Sequence, residues 1–195
     1  MLSITEQLSA TPGSAPRAEP MSIDRLKARL PDHARDLRTN LGAITSSTML
    51  TAQQAWGTAL AAAVTSRNPE VVAAIASDAK LSPEAAAAAR GAAAIMAMNN
   101  VYYRFQDVMG EDSPYAHLPA RLRMEIIGKP GVGHVDFTLW CLAASLINGC
   151  DKYVRMYEHT VREHGGTAEQ VQDAVRIASV IHAVALVLDT TPASG

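Results

Sequence analysis

The sequence predicts an all-helical protein, and three observations carry that expectation. Apolar residues recur at helical spacing from Asp24 to about Leu188, and no stretch shows strand-like alternation. Helix-start signals punctuate the chain: Ser22 before Ile23, Thr51, and the pair Ser82-Pro83. Hydrophobic residues make up 48% of the chain, and much of that is alanine, the strongest helix former. Its small side chain lets helices approach closely, so the product should be compact, with flat, self-complementary faces.

The elements follow in order. Residues 1–20 are rich in Ser, Ala and Pro without apolar periodicity, and Glu6 interrupts the one apolar run, which argues against a secretory signal. This stretch reads as a disordered leader, and Met21, directly before the capped start at Ser22, reads as a second candidate initiator. A single domain is expected over 21–190, followed by a flexible tail at 191–195. Within it Pro31 breaks the first helix, and a second spans about His33 to Ile44. A third starts at Thr51, contains Trp56 and ends near Arg67-Asn68-Pro69; a fourth covers Glu70 to Lys80. The helix after Ser82 is long, from Ala85 to Met98 and on toward Phe105. Gly91 to Met98 has almost no polar residue, so burial on nearly every side is expected. Asn99 and Asn100 should then interrupt it and need hydrogen-bond partners. A loop covers 110–118, a short helix Pro119 to Ile127 stops at Gly128-Lys129-Pro130-Gly131, and further helices cover Asp136 to Ile147 and Thr167 to about Leu188. For the last, the expected inner stripe is Val175, Ala178, Ser179, His182, Ala185 and Leu186, with His182 as a hydrogen-bonded core histidine.

Composition excludes several function classes. A net charge of -2 and 5% aromatic residues argue against a nucleic-acid surface and against base-stacking platforms. No apolar run reaches roughly 18 charge-free residues, so no membrane span is expected. The two cysteines are Cys141 and Cys150. On one helix they would point to opposite sides about 13 Å apart along the axis, which forbids a disulfide between them. Free thiols fit a reducing cytoplasm. The histidines His33, His117, His134 and His164 show no metal-ligand spacing, and neither metal nor cofactor is expected.

The chemistry-bearing stretch runs from Asn148 to His159. Cys150 follows an Asn-Gly break at the apparent start of an amphipathic helix, where backbone N–H groups and the helix dipole favour negative charge. Lys152 adds a nearby cation, so Cys150 reads as a candidate reactive thiol. Cys150, Tyr153 and Tyr157, at positions i, i+3 and i+7, project to one side of that helix. Two readings of the tyrosines stay open: walls of a pocket whose phenols donate to a bound carbonyl, or space-filling plugs. Cys141, among Trp140, Leu142, Ala143 and Ala144, reads as core.

Several stretches carry a family resemblance, above all Ala-Ile-Met-Ala-Met-Asn-Asn-Val-Tyr-Tyr-Arg (94–104), Leu-Arg-Met-Glu-Ile-Ile-Gly-Lys-Pro-Gly-Val (122–132) and Ile-Asn-Gly-Cys (147–150). From Met21 to about Asp189 the chain resembles the alkylhydroperoxidase D family, within the carboxymuconolactone decarboxylase-like superfamily. The resemblance implies an all-helical protomer in a homotrimer, with the active site near the subunit contacts. It also implies peroxidase chemistry by a Cys-x-x-Cys dithiol served by a glutamate–histidine proton relay, with a lipoyl-bearing protein as electron donor and a peroxiredoxin as acceptor. Carried over by position, Cys150 matches the first cysteine. Tyr153 stands where the second belongs, Tyr157 where the histidine belongs, and Thr138 where the glutamate belongs. Lys152 stands where the family often carries a histidine, while Glu158 and His159 follow the family pattern.

With no second thiol in the motif, the dithiol cycle cannot run through this segment, and Thr138 and Tyr157 cannot replace a Glu–His base near neutral pH. The expected function is therefore that of a diverged member. Its pocket (Cys150, Tyr153 and Tyr157, with Thr138, Lys152 and His159 secondary) would be turned to non-redox chemistry on, or binding of, a small organic molecule. The alternatives are residual peroxidase activity through Cys150 alone, and a catalytically silent trimeric scaffold or regulator.

Overall fold

The computed structural model describes residues 21–42, 44 and 46–191; the expected leader and all but the first residue of the expected tail lie outside them. Among the described residues every regular element is helical. α1 (Ile23–Arg29) is capped by the Ser22 side chain, and a 3-10 turn (Asp32–Ala34) then leads into α2 (Arg35–Gly42). α3 (Ala52–Ser66) starts with a capping box between Thr51 and Gln54, and α4 (Pro69–Asp78) is capped by Asn68. α5 (Pro83–Met109), capped by Ser82, is followed by the short α6 (Glu125–Gly128), then α7 (His134–Ile147), α8 (Asp151–Glu163) and α9 (Ala168–Thr190).

The centre of the fold is α3. Every residue from Gln54 to Ala63 is buried, and α5, α7 and α9 all pack around it. Alanine and glycine make this possible. A Cβ on Gly57 would overlap the Trp140 indole, and Trp140 Nε1 donates to the Gln54 carbonyl at 3.3 Å. The absent side chain lets a fully buried tryptophan lie directly on the α3 backbone. Among the described residues α9 alone is long and apolar enough to cross a membrane, but its buried face, from Ala174 through Ile181 to Leu188, packs into this core.

Four expectations are corrected. α5 runs unbroken to Met109, and Asn99 and Asn100 sit inside it without interrupting it. The continuous helix pairs the backbone of both, and Asn100 is held by side-chain hydrogen bonds to Ser145 and Asn148. The Gly91–Met98 segment is not buried all round, since Ala94 and Ala97 are exposed; low polarity there marks an unpartnered face of the protomer. The Pro119–Ile127 helix shrinks to α6, with Arg121 at φ 52. From Ala120 to Met124 every second residue turns inward and its neighbours outward, the period of extended chain. Finally, the inner stripe of α9 is rotated. Ala178 and Ala185 are buried, but Ser179, His182 and Leu186 are exposed. His182 is no core histidine; its ring Nδ1 lies 3.2 Å from Ser66 Oγ at the surface.

Candidate functional site at Cys150

The site is built by the turn between α7 and α8. Gly149 takes φ 66, a conformation open to glycine at little cost. The Gly149 N–H donates to Leu146 O and the Cys150 N–H to Ser145 O, both at 3.0 Å. This pair of bonds ends α7 in a Schellman motif. Asn100 clamps the turn from α5: its Nδ2 donates to Ser145 Oγ at 3.1 Å, and its Oδ1 accepts from Asn148 Nδ2 at 3.0 Å. Cys150 is consequently the N-cap residue of α8, one position earlier than a first-turn residue, and its side chain makes no cap hydrogen bond. It is also buried, at 3% exposure.

The tyrosines join it as the helical spacing requires. Tyr153 and Tyr157 are 8% and 5% exposed, with ring centroids 5.6 Å apart. Tyr103 of α5 continues the row at 5.5 Å from Tyr153, and Tyr102 lies edge-on to Tyr103 at 5.1 Å. Two partners were not read as site residues from the sequence. One is Tyr103, whose place in the 94–104 stretch was the available signal. The other is Cys141, brought up from α7 against Tyr157, with no local signal because the pairing is tertiary.

Burial dominates the electrostatics. It pushes the Cys141 thiol up to about 12, with the Tyr157 hydroxyl pulling slightly the other way. Burial likewise raises the Tyr157 phenol, reinforced by Cys141 and Tyr153, and raises the Tyr153 phenol, reinforced by Tyr103 and Cys150. Both phenols therefore hold their protons across the neutral range and act as donors, never as bases. The Tyr157 hydroxyl lies beside the Cys141 thiol, a weak hydrogen-bonding group at best. It is buried with no partner among the described residues. A buried hydroxyl in that state carries a desolvation cost of about 1–3 kcal/mol that a bound acceptor would relieve.

The secondary residues lie apart from this cluster. Thr138 is buried in α7, and its hydroxyl donates to the His134 carbonyl at 2.8 Å and lies 3.0 Å from His134 Nδ1. Lys152 reaches across to Asp107 of α5 at 3.5 Å rather than toward the thiol. His159 is exposed and pairs with Glu163 at 3.1 Å, because it sits two residues past Tyr157 and points about 200° away around the helix. His134 and His164, 30 positions apart in sequence, stack at 4.2 Å, yet among the described residues no three potential ligands converge on a metal position. Cavities of about 300, 240 and 200 Å³ lie on the described surface, and neither Cys150, Tyr153 nor Tyr157 lines any of these three.

Residues 114–193 match the carboxymuconolactone decarboxylase family. Several relatives bear the name alkyl hydroperoxide reductase AhpD. One, from Gluconacetobacter diazotrophicus, is 52% identical over 177 residues, covering 90% of this chain and 97% of that protein. Another, from Rhodospirillum centenum, is 52% identical over 175 residues, covering 89% of this chain and 94% of that protein. A third, from Frankia alni, is 51% identical over 176 residues, covering 89% and 95% respectively.

Proposed function

The chain belongs to the AhpD-like family, and from that premise we propose that it is a diverged member without the dithiol peroxidase relay, its Cys150 site turned to binding or non-redox chemistry on a small organic molecule. One observation carries the reading. Where the family resemblance asks for a second thiol and an imidazole, Tyr153 and Tyr157 form a buried pair of protonated phenols beside Cys150 and Cys141. Phenols held protonated by burial neither close a disulfide nor take a proton near neutral pH. They do donate hydrogen bonds, and the unpartnered Tyr157 hydroxyl is a donor in want of a carbonyl or similar acceptor. Peroxiredoxin and lipoyl-protein partners have no dithiol to exchange with here. The protein is proposed to act in the cytoplasm.

The close packing of Tyr103, Tyr153 and Tyr157 favours a second reading, a catalytically silent homotrimer in which the rings plug the site. Residual peroxidase activity through Cys150 alone is a further alternative; the thiol is buried, so a peroxide, like any other ligand of this site, would need an opening of the surrounding packing to reach it.

The test compares wild type, Cys150→Ala and Tyr157→Phe in two assays. The first is turnover of an organic hydroperoxide with a dithiol reductant. The second is a thermal-shift screen of small carbonyl compounds. The proposal expects no Cys150-dependent turnover and a ligand-induced shift that Tyr157→Phe removes. Turnover lost in Cys150→Ala would overturn it in favour of peroxidase activity. A screen with no shift, together with no turnover, would overturn it in favour of the silent protein.

A further inference from the structure

A separate cleft lies where the C-terminal ends of α3 and α7 meet the middle of α5. It encloses about 240 Å³ and is lined by Arg67, Ala97, Asn100, Val101, Arg104, Ile147 and Asn148. Its charge is one-sided. Two guanidinium-bearing side chains line it and no carboxylate does, and neither guanidinium has a hydrogen-bond or ion-pair partner among the described residues. The nearest acidic residue along α5, Asp107, is engaged with Lys152. The amides of Asn100 and Asn148 form the polar floor, held together at 3.0 Å, while Ala97, Val101 and Ile147 supply an apolar wall. Size and lining suit a molecule smaller than the ligands of typical cavities of about 300–1,000 Å³.

The backbone adds a second, independent observation. Arg67 closes α3 in the left-handed conformation, at φ 64. Glycine is the usual residue at that kind of helix end, because a side chain there is strained. A strained arginine in a glycine's place, directed to a cleft with another arginine and no counter-charge, is the pattern of a side chain held for what it binds.

We propose that this cleft is an anion-binding site, taking a small carboxylate- or phosphate-bearing molecule between Arg67 and Arg104. Planar guanidinium groups match the oxygens of either anion in bidentate fashion, and the amide floor and apolar wall orient the remainder of the molecule. The site stands apart from the reading of the Cys150 pocket and survives that reading's failure, since none of its seven lining residues is Cys150, Tyr153 or Tyr157. Ala97 and Val101 belong to the exposed apolar face of α5, so in an oligomer the cleft would open beside a subunit seam.

Isothermal titration of the full-length protein with inorganic phosphate, and separately with butyrate, tests the site. Ionic strength is held constant with sodium chloride, and both titrations are repeated on Arg67→Gly and Arg104→Gln. The expected result is saturable binding of at least one anion, weakened tenfold or more in each variant. The phosphate and butyrate arms decide which head group the site prefers. Arg67→Gly removes the guanidinium while relieving the backbone, so it keeps the fold and its melting temperature is expected to match or exceed wild type. Absence of saturable binding for both anions overturns the proposal, as does equal binding in both variants. A loss of assembly in Arg104→Gln, with no anion binding by the wild type, likewise overturns it and assigns the arginines to a subunit contact.

Discussion

Burial fixes the protonation of the Cys141–Tyr157 pair, and that sets an alkaline limit on the fold. In the unfolded chain the thiol and phenol titrate near 9.0 and 10.0, whereas in the folded protein the thiol is held at about 12 and the phenol is raised as well. An acid whose proton is held more tightly in the native state stabilises the fold fully below its unfolded value. That contribution is lost as pH rises through the unfolded value toward the folded one. Thermal stability should therefore be insensitive to these groups below about pH 8 and decline from about pH 9 upward, each group adding at most about 1.4 kcal/mol per pH unit. Tyr157→Phe keeps the ring and removes the titrating hydroxyl, so melting curves between pH 8 and 11 should fall less steeply for the variant. Parallel slopes would show that the hydroxyl is not buried as described. The same substitution removes an unpartnered buried hydroxyl, so at neutral pH it should be neutral or stabilising.

At the scale of elements, the contact of α3 with α7 rests on a missing side chain. The Trp140 indole lies where a Cβ on Gly57 would be, and this ring is fully buried against a helix backbone that cannot yield. Gly57→Ala is expected to cost about 3 kcal/mol, at the upper end of ordinary overpacking, despite alanine's better helix propensity. Combining it with Trp140→Phe should cost less than the sum of the two single changes, because the smaller ring vacates the overlapping volume; additivity in chemical denaturation would refute the contact. Such contacts explain which elements were legible in the sequence. Caps at Ser22, Thr51 and Ser82 are local chemistry and placed their helices correctly. Half-buried Ala120, Leu122 and Met124, alternating with exposed neighbours, read as helix in the sequence because three apolar residues are too few to separate the two periods. On α9 the apolar composition is so even that the inward stripe could be chosen only once α3 and α7 were in place, and His182 went to the wrong side. At the site, Cys150, Tyr153 and Tyr157 share one helix face and came together by helical spacing alone. Cys141 and Tyr103 arrive from other helices, as do Arg67 and Arg104 in the second cleft, and no local pattern announces them.

At the scale of the molecule, the question is what covers α5. Its buried residues end at Asn100, and the following turns present Val101, Phe105, Val108 and Met109 at 63%, 46%, 79% and 43% exposure. A helix of 27 residues is about 40 Å long, and in its last third Tyr102, Tyr103 and Gln106 are half-buried while the other residues are exposed. Contiguous apolar surface of this kind is uncommon on a solitary protomer and marks an interaction site. The homotrimer implied by the family resemblance is the proposed occupant, through self-complementary contacts between copies. Asn99, beside this face, is fully buried, and both its side-chain polar atoms lack a partner among the described residues. Light scattering after gel filtration should return three times the protomer mass for the wild type. Val101→Asp combined with Phe105→Asp should reduce it to one protomer with the helical circular dichroism retained, since both positions lie outside the core of the protomer. A wild type that elutes as a single protomer would remove the trimer, and a double variant that stays trimeric would move the interface off this face of α5.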